Sequence, residues 1–228
     1  GPAPYTEFIK GYYHPGQWRK RLDYGTGTFG DMGCHIYDPV FKALGLTYPI
    51  SLRSEGPVPN DHNWGFDAKI HYIFPKTAYS EGKTLPVTWY DGGARPAAEV
   101  TKLLEGKKLP GQGSVVIGTK GVMLIPHVGN PELFPKKDFA DFKIQKVEGI
   151  NHWHSFIDGA RGAGPMPSAN FSYAGPLSET VLLGGVATRF PKETLRWEAE
   201  KLSFAGNEKA TALIRKKYRK GWEVEGLG

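Results

Sequence analysis

The sequence predicts an α+β fold, in which a large, mostly antiparallel sheet carries helices on one side and is open on the other. Short runs of alternating apolar and polar residues indicate strands, and longer runs with the helical period indicate helices. The two kinds of element do not alternate strictly, as they would around a parallel sheet. With 228 residues, 39% of them hydrophobic, the chain can bury a core, and a single domain over residues 1–228 is expected.

The first half of the chain predicts an arm, one helix and three strands. Residues 1–20 are rich in Pro, Gly and Tyr without a regular period, which indicates an extended arm over the core. A helix should begin near Gly30 and end at Gly45, with Pro39 either opening a second short helix or kinking the first. The predicted strands cover residues 48–54, 68–74 and 85–89, and the last two should pair as a hairpin.

The middle of the chain predicts a second hairpin between two helices. A short helix is expected over residues 97–104, and strands 114–117 and 122–125 should pair across a glycine turn. Residues 127–148 have no periodic pattern and are expected to be irregular. Asn151 is a good N-cap for the helix that follows, which carries Trp153, Phe156, Ile157 and Ala160 on one face and closes at Gly162.

The last quarter predicts two helices and a strand. Ser178 should cap the longest helix, which ends near Phe190, with Leu177 and Leu182 as a hydrophobic staple. Gly184-Gly185 inside this helix requires a close neighbour, because glycine otherwise destabilises a helix. A strand around Leu195 and Trp197 and a final helix from Asn207 complete the predicted elements.

Residues 24–38 combine a glycine-rich turn with a helix that bears polar side chains. In a helix that starts at the last glycine, Asp31, His35 and Asp38 lie at i, i+4 and i+7 and share one face, whereas Ile36 turns toward the core. A carboxylate one turn from an imidazole can act as an acid/base pair on one substrate group. From spacing alone, a capping aspartate with a core histidine is an equally good interpretation.

Gly25, Gly27 and Gly30 match the G-x-G-x-x-G pattern of dinucleotide-binding proteins, but their context does not. That pattern requires a buried apolar strand before the first glycine, and residues 17–24 are too charged for one. Asp31 would also place a negative charge where a phosphate binds. We therefore interpret the glycines as a turn that lets the backbone pass close to the helix, and expect no cofactor-binding residue on this chain.

Several stretches of the chain follow, in order, the pattern of one enzyme family. They are Trp18-Arg19, Asp23–Gly27, Gly30–His35 with Asp38, Trp89–Pro96, Gly113–Gly121, Asn151–Trp153, Pro176–Ala187 and Tyr218–Trp222. Together they resemble the C-terminal domain of the bacterial branch of the glucose-fructose oxidoreductase, inositol dehydrogenase and rhizopine-catabolism family (Gfo/Idh/MocA). The resemblance covers nearly the whole chain and implies an α+β sheet domain similar to those of dihydrodipicolinate reductase and GAPDH.

The resemblance implies the substrate-binding domain of an NAD- or NADP-dependent oxidoreductase that acts on a sugar, cyclitol or polyol. In this family a lysine from a Glu-Lys-Pro motif of a Rossmann domain works with an aspartate and a histidine spaced D-x-x-x-H, which Asp31 and His35 match. The chain contains no Glu-Lys-Pro, so the Rossmann domain is expected to be absent from it and the chain alone to be inactive. His35 would act as general base or acid at the substrate hydroxyl, with Asp31 orienting it or relaying a proton.

Further side chains are candidates for substrate contacts. Tyr13, Trp18 and Arg19 could stack on a sugar and bind its hydroxyls, although packing of the arm is the simpler role for Trp18. Asn151 and His152 could line the substrate cleft. His152 and its neighbour two residues on cannot both face one ligand well, and with no third ligand in view no metal site is expected.

Two other functions stay open. The full-length enzyme could use transient oxidation to cleave or eliminate at a glycoside, and the named residues do not separate this from simple dehydrogenation. The chain could instead be a non-catalytic module that binds a carbohydrate or assembles with another chain, although the Asp31/His35 pair favours an enzyme. An open sheet face also predicts a homo-oligomer, because exposed β surface needs cover.

Composition argues against several classes of partner. The net charge is +6, but the basic residues are scattered and no aromatics interleave with them, so solvated basic faces are predicted rather than a nucleic-acid interface. The apolar runs are too short to span a membrane, and residues 1–4 lack the features of a signal peptide. Cys34 is the only cysteine, which excludes an intrachain disulfide. The cellular compartment is left open.

Overall fold

The computed structural model describes residues 3–226 and confirms an α+β fold with antiparallel sheets. Two compact units form: the first from Gly1–Ala97 with Ser178–Gly228, the second from Ala98–Leu177. The helices are α1 (Gly27–Leu44), α2 (Ala98–Lys102), α3 (His152–Ala160), α4 (Phe171–Ala187) and α5 (Glu208–Ala212). The strands are β1 (Ser51–Glu55), β2 (Lys69–Pro75), β3 (Thr84–Tyr90), β4 (Gly113–Ile117), β5 (Val122–Pro126), β6 (Glu132–Phe134), β7 (Thr194–Glu198) and β8 (Ser203–Phe204).

The first unit contains a five-stranded sheet in the order β3-β2-β1-β7-β8, with every pair antiparallel. The predicted hairpin of β2 and β3 is confirmed. Alternation along β2 buries Ile70, Tyr72 and Phe74 completely, at 0% exposure, while the residues between them are half-buried. The sheet therefore has one core face and one open face.

Helices α1 and α4 pack on the core face of this sheet. The rings of Phe29 and Tyr37 on α1 contact the ring of Tyr72, with centroids 6.2 and 5.7 Å away. The Tyr72 hydroxyl donates a hydrogen bond of 3.0 Å to the carbonyl oxygen of Thr180 on α4. Because one β2 residue contacts both helices, the two helices share that face.

Glycines, which have no side chain, let α4 approach α1 and the sheet closely. A Cβ atom at Gly184 would lie 1.9 Å from both the Phe29 ring and the Tyr72 hydroxyl. A Cβ at Gly33 would lie 2.8 Å from Val181. The close neighbour that the sequence requires is thus confirmed at Gly184, whereas a Cβ at Gly185 would make only ordinary contacts, the nearest at 3.7 Å.

The second unit is built around a three-stranded sheet in the order β4-β5-β6, which contains the predicted hairpin of β4 and β5. Its core consists of Leu104, Val122, Leu124 and Phe134. The predicted N-cap of α3 is confirmed, because Asn151 Oδ1 accepts a hydrogen bond of 3.0 Å from the backbone N–H of His154. The apolar face of α3 is exposed, with Trp153 at 80% and Phe156 at 68%.

Two predictions about irregular segments are wrong. Residues 127–148 contain β6 and a 3₁₀ helix, Lys136–Phe139. The three residues of β6 stand between Pro131 and Pro135 and show no period of their own, and pairing with β5 defines the strand. The arm predicted as extended over residues 1–20 contains a 3₁₀ helix, Gln17–Lys20, and its residues 1–2 lie outside the described part.

The predicted start of α4 is also wrong. The helix begins at Phe171 and runs through Ser178, because Asn170 accepts hydrogen bonds at its start: from Ser172 N to its side chain, 3.0 Å, and from Ala174 N to its carbonyl, 2.8 Å. The staple fails, since Leu182 is 47% exposed. The helix ends at Ala187 and has 17 residues, one fewer than α1.

Helix α1 is continuous, and its C-terminus lies at the glycine that the sequence predicts. It passes through Pro39 without opening a second helix and ends at Gly45, which has φ +61° and is the left-handed cap. Its start, Gly27, lies one turn before the predicted one. No helix within residues 3–226 is long and apolar enough to cross a membrane.

Candidate functional site

The residues before α1 are tied to a neighbouring loop of the first unit. The backbone N–H of Leu22 donates to the carbonyl of His62, 3.0 Å, and that of Trp64 donates to the carbonyl of Lys20, 2.9 Å. The Trp64 indole N–H donates to the carbonyl of Gly25, 2.8 Å. Together these bonds tie residues 20–25, which lead into α1, to the loop at residues 62–64.

The glycines at the start of α1 allow close packing. A Cβ at Gly25 would lie 2.1 Å from the carbonyl oxygen of Arg19, and a Cβ at Gly30 would lie 2.2 Å from the side chain of Thr26. The segment before Gly25 is a 3₁₀ helix and not a strand. The motif therefore lacks the strand against which a dinucleotide pyrophosphate binds, and these residues do not fit such a cofactor.

The polar face of α1 forms as predicted. Asp31, His35 and Asp38 are all exposed, whereas Ile36 and Val40 are buried beneath them. The alternative interpretation, with Asp31 as helix cap and His35 in the core, is wrong because α1 begins at Gly27 and both side chains face solvent. The carboxylate and the imidazole are thus accessible on one helix face.

An arginine from the arm pairs with the carboxylate of this face. Arg19 Nε lies 3.4 Å from Asp31 Oδ2, and the two side chains are 48% and 46% exposed. The Arg19 guanidinium also lies over the Trp18 ring, 4.8 Å from its centroid. An exposed pair of this kind stabilises the fold by at most about 1 kcal/mol. Three predicted site residues, Trp18, Arg19 and Asp31, are thereby in one group.

Three tyrosines form a cluster, which is joined to this group by a hydrogen bond of 2.9 Å from the backbone N–H of Trp18 to the carbonyl of Tyr13. The ring of Tyr13 lies edge-on to Tyr12 and Tyr24, with centroids 4.8 and 5.4 Å away, and Arg21 lies 3.7 Å over the Tyr12 ring. Desolvation, followed by the neighbouring Tyr24 phenol, raises the pKa of Tyr13 above its ordinary value. A tyrosine hydroxyl is protonated at neutral pH at its ordinary pKa as well, and it can donate or accept a hydrogen bond.

The two remaining predicted residues, Asn151 and His152, belong to the second unit. Asn151 uses its side-chain oxygen to cap α3, and the His152 side chain is exposed. Their role in substrate binding stays a prediction.

A further carboxylate–imidazole–hydroxyl group, which the sequence did not reveal, lies on the open face of the sheet. His71 Nε2 lies 3.6 Å from Glu55 Oε2, and His71 Nδ1 lies 3.1 Å from Thr88 Oγ1. His71 is directly opposite Thr88 in the register of β2 and β3. Cross-strand neighbours make such contacts in any sheet, so this group indicates sheet stabilisation rather than catalysis.

No group of three or more His, Cys, Asp or Glu that could hold a metal ion occurs in the described part of the chain. Comparison of the chain with protein families and with curated proteins gives no match. The function is therefore inferred from the geometry above and from the resemblance of the motifs.

Proposed function

We propose that this chain is the substrate-binding part of a nicotinamide-dependent oxidoreductase that acts on a sugar, cyclitol or other polyol. The observation that carries the proposal is the exposed face of α1, where Asp31 and His35 lie one turn apart and Arg19 pairs with the carboxylate. The same two residues match the D-x-x-x-H spacing of the Gfo/Idh/MocA family.

In this proposal His35 takes the proton of the substrate hydroxyl when the alcohol is oxidised, and returns it in the reverse reaction. Asp31 holds the imidazole in place and stabilises the imidazolium that forms, while Arg19 limits the orientations open to Asp31. Tyr13 and Trp18 supply aromatic rings for contacts with a sugar, and the Arg19 guanidinium lies over the ring of Trp18.

The hydride acceptor, NAD or NADP, supplies the redox chemistry and binds in this proposal to a separate dinucleotide-binding domain. A 3₁₀ helix and not a strand precedes the glycine turn of this chain, which supports placing the cofactor on that other domain. Cofactor specificity and the direction of the reaction would be set by residues of the other domain.

Substrate binding and the role of His35 can be tested together. The chain is titrated with a panel of sugars and inositols by thermal shift, and with NAD(H) and NADP(H) by calorimetry. We expect a saturable shift with at least one polyol and no saturable binding of either cofactor. In the protein joined to its dinucleotide-binding domain, His35→Ala should lower kcat by about 100-fold or more, which is the range for loss of a general acid or base.

Asp38→Ala is the matched control, because Asp38 lies on the same exposed face of α1 one turn further on. It should leave turnover within about threefold of the unmodified protein. Tight cofactor binding by this chain alone would contradict the proposed division of labour. A polyol shift without any turnover by the joined protein would support a non-catalytic carbohydrate module, and glycoside cleavage by the joined protein would support the redox-assisted lyase.

We also propose self-association through the open face of the five-stranded sheet. Arg53, His71 and Ile73 on this face are only half-buried in the single chain. Sedimentation velocity of the chain measures this directly, and a monomer at micromolar concentration would contradict it.

A further inference from the structure

A cleft in the first unit lies between the N-terminal arm and the C-terminal tail. Its volume is about 370 Å³, and its walls include Tyr5, Thr6, Tyr24, Lys216 and Arg219. This volume is within the range of small-molecule sites, which combine ring faces with a few polar groups. Sequence patterns indicated only solvated basic residues in the tail, because they cannot show that two of them face the arm.

The charges of the cleft favour an anion. Lys216 and Arg219 contribute two positive charges and Asp23 one negative charge, which leaves a formal charge of +1 on its walls. Lys216 Nζ donates a hydrogen bond to the backbone carbonyl of Asp23. Over residues 3–226, neither cation is within 4.0 Å of a carboxylate oxygen. Both cations therefore keep donors for a ligand, and a guanidinium and an ammonium together suit a carboxylate or a phosphate.

The remaining walls favour a sugar as the carrier of that anion. Tyr5 is 78% exposed and lines the cleft. The Tyr24 hydroxyl donates to Thr6 Oγ1, 2.8 Å, so two hydroxyl oxygens lie together with lone pairs for ligand hydroxyls. Aromatic residues, hydroxyls and two cations in one cleft match a sugar that carries an acidic group.

The cleft and the Asp31 group share one loop. Asp23 and Tyr24 form a wall of the cleft, and the next residue, Gly25, packs against Arg19, the ion-pair partner of Asp31. We infer that this cleft binds the carboxylate or phosphate of an acidic sugar, with Lys216 and Arg219 as its anion ligands. The claim that the acidic sugar is the substrate rests on the proposed function. The claim that the cleft binds an anion rests on the residues of the cleft alone.

Calorimetric titration of the chain with glucose, glucuronate and glucose 6-phosphate tests the inference. We expect at least one acidic sugar to bind at least about tenfold more tightly than glucose, and the tighter of the two identifies carboxylate or phosphate as the preferred group. Arg219→Ala should weaken that binding by about tenfold or more, the range for a hydrogen bond to a charged group. Arg219→Lys should restore part of it, because the charge is kept.

Lys217→Ala is the matched control, because it removes the same charge from the same tail at a residue that does not line the cleft. It should leave acidic-sugar binding unchanged. Equal binding of glucose, no binding of either acidic sugar, or equal losses in Lys217→Ala and Arg219→Ala would each overturn the inference.

The two proposals fail separately. His35→Ala should retain acidic-sugar binding to the cleft while it loses turnover in the joined protein. Acidic-sugar binding with normal turnover in His35→Ala would leave the cleft in place and refute the catalytic role of His35. Loss of turnover in His35→Ala without acidic-sugar binding would refute only the cleft.

Discussion

Helices α1 and α3 have similar sequence patterns and different surroundings. Each carries an apolar face, an N-terminal polar or small residue, and at least one histidine on its surface. In α1 the apolar face is packed on the sheet, and Phe41 is 1% exposed. In α3 no residue is buried, and Trp153 and Phe156 face solvent.

The difference shows what an amphipathic pattern can and cannot predict. Apolar residues at helical spacing predict that a helix forms, because the pattern is a property of the segment itself. They do not predict what covers the apolar face, because the covering residues come from elsewhere in the chain or from another molecule. In α1 the apolar face packs in a core, and this packing determines which residues form the exposed polar face.

The largest expected effect comes from truncating one ring in each helix. Phe41→Ala removes a fully buried ring from the α1 interface and should lower the free energy of unfolding by about 3–5 kcal/mol. Phe156→Ala removes a ring that is 68% exposed and should change it by about 0.5 kcal/mol or less. Urea unfolding of both variants measures the difference. A large loss in Phe156→Ala would show that the face of α3 is covered in solution.

An intermediate effect is expected from two glycine substitutions in α4. One glycine is packed tightly against neighbouring side chains, and the other has room for a methyl group. Gly184→Ala would place a methyl group on the Phe29 ring and the Tyr72 hydroxyl and should destabilise the protein by about 1–3 kcal/mol. Gly185→Ala would make only ordinary contacts, the nearest at 3.7 Å, and should stabilise it by up to about 1 kcal/mol through helix propensity. The melting temperatures should shift in opposite directions. A neutral Gly184→Ala would mean that α4 can move away from the sheet.

The smallest expected effect is a change in how the free energy of unfolding depends on pH. The comparison is between a buried carboxylate of the first unit and an exposed carboxylate on α3. Asp91 is 4% exposed, and burial raises the pKa of its carboxyl above the ordinary value, with Asp67 adding to the rise. Between the ordinary and the raised pKa the folded protein binds more protons than the unfolded chain. Its stability therefore falls as the pH rises through that window, starting near 3.8.

Asp91→Asn removes this titration, so the variant should lose less stability than the unmodified protein over that pH window. Asp158→Asn removes an exposed carboxylate from α3 and serves as the matched control, which should follow the unmodified protein. Urea unfolding across the acid range provides the measurement. Parallel curves for Asp91→Asn and the unmodified protein would show that burial of this carboxyl does not affect folding.

Most elements of the fold could be predicted because their signals are local. The alternation of Ile70, Tyr72 and Phe74, the cap at Asn151 and the helix start at Asn207 each depend on a few neighbouring residues, and all three are confirmed. The start of α4 was misplaced because Ser178 and Asn170 are both suitable caps, and the choice depends on which one the neighbouring backbone can reach. Strand β6 is defined by its partner strand and has no signal of its own.

For the candidate site too, the sequence predicts the local features but not the contacts between distant segments. The shared face of Asp31 and His35 follows from helix geometry alone. The pairing of Arg19 with Asp31 depends on how the arm folds back, and the cleft near Arg219 depends on residues from both ends of the chain meeting. Contacts between segments far apart in the sequence leave no periodic signal, so these parts of the site required the structure.

The glycines of this protein have a consequence for how such chains are classified. At Gly25, Gly30 and Gly184 any side chain would overlap a neighbouring atom, so natural selection on the fold alone would retain glycine at each position. Two of these glycines also satisfy a spacing associated with dinucleotide binding. Descendants of this gene would therefore retain both glycines for steric reasons alone, and this part of the motif would not by itself identify a cofactor site in them.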